Sequence, residues 1–126
     1  MPKNTEEEKT IRSKALQEAT LYATEVPLLT MKTAIQVFDL VKIMAQEGNP
    51  NSVSDAGVGA LAARTAVLGA QLNVKINASG LKNREIAEKL LLDAEKIAQQ
   101  ADILEKEILK IVNEKISWNI KKTNIL

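Results

Sequence analysis

Asp55, Arg64, Asn73, Lys75 and Asn77 fall within one short stretch of this chain and bring together a carboxylate, two cations and two amides. The 126 residues include no histidine and no cysteine. That excludes imidazole acid–base chemistry, thiolate nucleophiles, disulfides and the usual zinc sites. Any catalysis must use carboxylates, lysine, amides, hydroxyls or helix dipoles. At about 3.6 residues per turn, Asp55, Gly59, Ala62, Ala66, Gly69, Asn73 and Ile76 form one stripe. It is a smooth track of small side chains with an acid near one end and an amide near the other. A glycine inside a helix costs about 0.5 to 1 kcal/mol relative to alanine, so Gly57, Gly59 and Gly69 imply that another helix or a flat ligand approaches closely. Arg64 lies on the side shared by Leu61, Leu68 and Leu72, where a charge needs a carboxylate or an anionic ligand. Asn73 and Asn77 share a face and offer donors and acceptors to a heterocycle.

The elements that must hold these groups are helical. Thr5 with Glu8 three positions on reads as a capping box, and the acidic run Glu6 to Glu8 suits the positive end of a helix dipole. A first helix is expected over residues 6–25, with Ile11, Ala15, Ala19, Tyr22 and Ala23 as a thin buried stripe. Pro27 opens a second helical segment or bends a continuing one, and that segment ends at Gly48-Asn49-Pro50. Capped by Ser52 or Ser54, a third helix runs to Ile76 or Asn77. Asn83 caps a final helix through about Trp118, with Glu85 and Lys89 spaced as an ion pair. Leu90, Ile97, Leu104, Ile111 and Trp118 recur every seven residues along it, and Ala94, Ala101 and Ile108 follow the first three at four positions. The carboxyl tail, Ser117 to Leu126, is expected to fray. The expected fold class is all-α: an elongated antiparallel bundle of three to four long helices, completed by oligomerisation.

Composition narrows the partners. Lys and Arg number 17 against 16 Asp and Glu, mixed along the chain, so no basic stripe offers a nucleic-acid backbone long-range attraction. The charged amino terminus is not the apolar centre of a signal peptide, and no apolar run approaches the roughly 20 residues that span a bilayer. The expectation is a cytoplasmic protein without nucleic-acid or membrane partners. Phe38, Tyr22 and Trp118 are its only aromatic residues, so the core must come from Leu, Ile, Val and Ala.

The ordered runs Glu25-Val26-Pro27, Gly48-Asn49-Pro50-Asn51-Ser52-Val53-Ser54-Asp55-Ala56-Gly57-Val58, Ala62-Ala63-Arg64-Thr65-Ala66, Gly69-Ala70, Leu72-Asn73-Val74-Lys75-Ile76-Asn77 and Leu81-Lys82 closely resemble the formiminotetrahydrofolate cyclodeaminase and methenyltetrahydrofolate cyclohydrolase family. Similarity extends through Pro2-Lys3-Asn4-Thr5 and the last helix. Residues 1–126 look like the carboxyl-terminal two thirds of that domain, without a counterpart of its earlier proline- and glycine-rich segment.

The resemblance implies a one-carbon tetrahydrofolate as substrate. A cyclodeaminase would close 5-formiminotetrahydrofolate to 5,10-methenyltetrahydrofolate with loss of ammonia; a cyclohydrolase would interconvert methenyl- and formyl-tetrahydrofolate through water. Neither reaction needs a metal or redox cofactor. Both require proton transfer at nitrogen and stabilisation of a cationic carbon. On this footing Asp55 supplies negative charge or a proton relay, and Glu25 is a second acid–base group. Asn73 and Asn77 orient the pterin or the one-carbon unit, and Arg64 or Lys75 meets the glutamate carboxylate of the folate. The partners implied are the folate, a second copy in a homodimer or higher oligomer, and a separately supplied amino-terminal fragment. The alternative is a noncatalytic oligomerisation module, a relic whose seven-residue seam still drives association.

Overall fold

The computed structural model describes Pro2 and residues 4–125. Met1, Lys3, Leu126 and the side chains of Asn124 and Ile125 lie outside the described residues. Helix α1 spans Glu6–Glu47, α2 spans Val53–Ala78 and α3 spans Arg84–Ile125, with a 3-10 turn at Pro50–Ser52 between the first two. The architecture is the expected all-α, elongated antiparallel bundle, with three helices and no strand among the described residues.

The proline does not divide α1, which runs unbroken for 42 residues. A proline inside a helix removes the donor for the carbonyl four residues back, here Ala23. That carbonyl accepts instead from Asn77 Nδ2 on α2, at 2.9 Å. One interhelical hydrogen bond thus satisfies the carbonyl orphaned by Pro27 and pins the carboxyl end of α2 to the middle of α1.

The other boundaries follow local chemistry. Thr5 and Glu8 form the capping box. At Gly48 a β-carbon would collide with the carbonyl of Met44, which ends α1, and Asn49 accepts from the Asn51 amide at 2.9 Å to start the 3-10 turn. Ser52 occupies the cap of α2 without a side-chain hydrogen bond and Ser54 lies inside the first turn, so the 3-10 turn replaces the expected serine cap. Asn83 Oδ1 accepts from the Ile86 amide at 3.2 Å, as the sequence suggested. The last helix continues past Trp118 to Ile125 rather than fraying at Ser117.

The three helices meet along small residues. Ala56, Ala60, Ala63 and Ala70 of α2 and Ala94, Ala98 and Ala101 of α3 are buried with Met31, Phe38, Val67, Val74 and Ile108. Of the seven-residue seam, Ala94, Ala101 and Ile108 are buried, Leu90, Ile97, Leu104 and Ile111 pack partly against the core, and Trp118 is 61% exposed because α3 outruns its partners. Two glycines are explained by close approach: a β-carbon at Gly57 would sit 3.2 Å from Val112 of α3, and one at Gly59 would sit 3.4 Å from Val41 of α1. Near Gly69 there is nothing within 4 Å.

Two expectations need correction. The stripe Ile11, Ala19, Tyr22 and Ala23 is exposed and Ala15 only half-buried; α1 instead buries Thr24, Leu28, Met31, Phe38, Val41 and Ala45. Glu85 and Lys89 form no ion pair among the described residues. Surface support on α3 comes instead from Asp102 with Lys106 at the same spacing, and Lys115 donates to the carbonyls of Ala45 and Gln46 at the negative end of α1.

The Pro27–Asn77 relationship makes a testable double-mutant cycle. Asn77→Ala should lower stability to urea unfolding by about 1 kcal/mol in the wild-type background. In Pro27→Ala, where residue 27 regains its own donor, the same change should cost markedly less.

Candidate functional site

The candidate residues divide between two of the open grooves beside α3 and a third surface. The first groove, about 660 Å³, lies between α2 and α3 and is lined by Arg64, Gln71, Lys75, Glu95, Gln99 and Asp102. Arg64 answers the expectation that a cation among leucines needs a carboxylate, because two are present. Its guanidinium lies 3.1 Å from Asp102 and 3.1 Å from Glu105, whose side chain is only 8% exposed. Asp102 also accepts from Lys106 at 2.8 Å. That hydrogen bond, with the nearby charges of Lys106 and Arg64, holds the Asp102 carboxyl below its ordinary pKa against the opposing effect of desolvation. Arg64 is therefore already neutralised. Gln71 donates to Glu95 at 3.0 Å, which leaves Lys75 as the cation of this groove without an ion pair among the described residues.

The second groove, about 650 Å³, lies between α1 and α3. Its apolar floor includes Leu28 and Leu90, and its rim carries Tyr22, Glu25, Lys32, Lys89 and Asp93. Glu25 is exposed here. An apolar floor with a few polar groups of both signs is the usual make-up of a small-molecule site.

Asp55 and Asn73 reach neither groove. Both are exposed on the outer face of α2, away from α3, and 18 residues of helix hold them about 27 Å apart along the axis. Asn77 donates through Nδ2 to the Ala23 carbonyl. A single chain thus gathers Arg64 with Lys75, sets Glu25 apart on the other side of α3, and leaves Asp55 and Asn73 separated from both and from each other. Among the described residues no group of three or more carboxylate, imidazole or thiol side chains is placed to hold a metal ion.

With that geometry in view, residues 1–96 match the formiminotransferase-cyclodeaminase family. The chain belongs to that family. It is 42% identical over 117 residues to a methenyltetrahydrofolate cyclohydrolase of Methylorubrum extorquens, covering 93% of this chain and 56% of that protein. It is 38% identical over 101 residues to a formimidoyltransferase-cyclodeaminase of Rattus norvegicus, covering 80% of this chain and 19% of that protein. The corresponding protein of Mus musculus is 39% identical over 89 residues, which are 71% of this chain and 16% of that one. The chain spans about half the length of the cyclohydrolase it matches and under a fifth of the rat and mouse proteins. The family match includes α1, α2 and the start of α3, and so takes in Arg64, Gln71, Lys75 and Glu95 of one groove and all five rim residues of the other.

Sequence reasoning missed Asp102 and Glu105 as the partners of Arg64, and Tyr22, Lys32, Lys89 and Asp93 as neighbours of Glu25. One signal was readable: Glu105 stands four residues after Ala101 and three before Ile108, on the buried side of α3, where a carboxylate requires a cation. Nothing local marks the Glu25 neighbours, because their meeting depends on how α1 and α3 pack.

Glu105→Ala should lower stability by about 1 to 3 kcal/mol in denaturant titration, less than for a fully buried pair because Arg64 retains Asp102 and partial access to water. Acid should act on the same cluster. The folded Asp102 pKa lies below its unfolded value, so its contribution is present above about pH 4 and is lost as pH falls through the folded value. Asp102→Asn should therefore flatten the acid limb of the stability–pH curve below about pH 4.

Proposed function

We propose that this chain is part of a folate one-carbon enzyme, a partial cyclodeaminase/cyclohydrolase domain over residues 1–126. Its substrate in this reading is 5-formiminotetrahydrofolate, cyclised with release of ammonia, or 5,10-methenyltetrahydrofolate, opened by water. The observation that carries it is the groove between α1 and α3, found in a chain of this family. That groove has an apolar floor for a flat heterocycle, carboxylates at Glu25 and Asp93, and lysines at 32 and 89.

The chemistry assigns each group a task. A carboxylate can accept two parallel hydrogen bonds from the amino-pyrimidinone edge of a pterin, and Asp93 serves that end. In cyclisation Glu25 passes the proton lost by the ring-closing nitrogen to the leaving nitrogen, which departs as ammonia, and in hydrolysis it takes a proton from the attacking water. Lys32 and Lys89 meet the anionic glutamate end of the substrate. Lys75, in the groove across α3, is the second cation for a longer anionic tail, a role that Arg64 gives up to Asp102 and Glu105. No metal or redox cofactor takes part in this reading. A second copy of the chain and a separately supplied amino-terminal segment are its macromolecular partners, and the cytoplasm is its setting. Among the described residues no helix is long and apolar enough to cross a membrane.

The test is binding and turnover of 5,10-methenyltetrahydrofolate, followed by its absorbance, with the chain alone and with an amino-terminal segment of the family domain supplied separately. Glu25→Gln should cut turnover at least tenfold with little change in substrate binding. Lys89→Ala should weaken binding severalfold with turnover at saturation nearly kept. No binding by either preparation would leave the noncatalytic oligomerisation module as the reading.

A further inference from the structure

Tyr22 is the one aromatic side chain that reaches either candidate groove. The other two are committed elsewhere: Phe38 is sealed in the core, and Trp118, on the far end of α3, lies under Lys122 at 5.1 Å from its ring centroid. Tyr22 is 71% exposed on the rim of the groove between α1 and α3, and no cation of the chain lies over its ring among the described residues. Its π face is open to a ligand in that groove.

We propose that Tyr22 makes this groove selective for a positively charged one-carbon centre, by laying its ring against the cationic carbon of 5,10-methenyltetrahydrofolate. This role rests on the folate function proposed above. Glu25, the proton carrier of that function, follows Tyr22 by three residues on α1 and lines the same groove. Residues so spaced are neighbours on a helix surface, with β-carbons about 5 to 6 Å apart. A reacting centre within reach of Glu25 is therefore beside Tyr22, whichever way the pterin points.

Helix register shows that α3 cannot supply this attraction. The Lys82 amide donates to Gln17 and the Lys42 ammonium to Glu107, so each residue of α1 is level with the residue of α3 that stands 65 positions later. Leu21 and Ile86, at the same offset, line both this groove and the smaller hollow of about 180 Å³ next to it. By that offset Leu90 is level with Glu25 and Lys89 with Thr24. The wall across from Tyr22 is therefore Ile86 and Leu90, which offer a cation nothing, and Lys89, which repels one. What holds a positive centre must come from α1.

Electrostatics explain why a ring is useful beside a carboxylate. The methenyl form spreads its positive charge over N5, N10 and the carbon between them, whereas the formyl forms are neutral at the same atoms. The negative face of an aromatic ring attracts the first and discriminates it from the second. Glu25 attracts the cation too, but it is neutral while it holds the proton that it transfers. The ring keeps its attraction throughout. Nor does the groove select by net charge, because Glu25 and Asp93 are balanced by Lys32 and Lys89, none of them in an ion pair among the described residues.

A graded series at position 22 tests the role. Dissociation constants are measured for 5,10-methenyltetrahydrofolate and for 5-formyltetrahydrofolate, which carries its one-carbon unit on the same nitrogen without the charge. The background is Glu25→Gln, in which turnover is slow, with the chain alone and with the amino-terminal segment supplied separately. Tyr22→Leu should lower the preference for the methenyl form about two- to fivefold, the span expected when a cation loses an exposed aromatic face. Tyr22→Phe should keep the preference, because the hydroxyl takes no part, and Tyr22→Trp should raise it, because indole has the stronger π face. The urea midpoint should stay constant through the series, since residue 22 is exposed. A preference unchanged in Tyr22→Leu, even with both folates bound more weakly, would overturn the role of Tyr22 and leave the folate reading standing. So would a preference lost equally in Tyr22→Phe. Failure of the wild-type chain to bind either folate in both preparations would instead overturn the folate reading, and selection by the ring with it.

Discussion

The close approach of α2 to both of its neighbours is the constraint from which the rest of this structure follows. With a single buried aromatic residue, Phe38, the core cannot be filled by large side chains spanning wide gaps, so the backbones must come together. Ala56, Ala60 and Ala63 permit this along α2, and Gly57 and Gly59 remove the β-carbons that would press on Val112 and Val41. Such an interior has little room to adjust, since an added methyl group at Gly57 meets the branched side chain of Val112 rather than a flexible one. It also places Arg64 at the edge of the α2–α3 contact, where water cannot solvate it fully and Asp102 and Glu105 must.

Function is shaped by the same tightness. Three helices packed this closely leave the two candidate grooves open, one on each side of α3, beside a bare outer face of α2. A substrate seated in a groove keeps one side in contact with solvent unless another chain covers it. Covering such a groove expels water and strengthens the charge interactions within it.

Much of the fold was legible in the sequence because its signals are local. Thr5 with Glu8, Asn83 before Ile86, and Gly48 before Asn49 and Pro50 act within a few residues, and each occurs where it was expected. Pro27 could not be read so, because the group that compensates for it is Asn77, fifty residues away and on another helix. The small-residue stripe from Asp55 to Ile76 was read correctly as a face of α2, but periodicity alone does not say whether a face meets its own chain. Gly59 does, whereas Gly69 does not. The candidate site was legible to the same extent. Arg64 announced that it needed a carboxylate, and α3 supplies two. The separation of Glu25, Asp55 and Asn73 depends on helix length and packing, which residue type does not encode.

Contacts at the amino half of α1 are the long closures of this chain. Gln17 donates to the Gly80 carbonyl and accepts from the Lys82 amide, while Lys82 reaches Ser13, so these bonds close loops of 63 to 69 residues. The contact of Val41 with Gly59 closes a loop of only 18. Loop-closure entropy makes the longer closures dearer by about 1 kcal/mol, and they retain fewer buried neighbours to offset it. The Val41–Gly59 end of the α1–α2 hairpin is therefore the cheaper closure, and the contact between the amino half of α1 and the α2–α3 turn the dearer one. Glu25 and its groove lie between these two regions, so the candidate acid–base group is held by the costlier closure as well as the cheaper one.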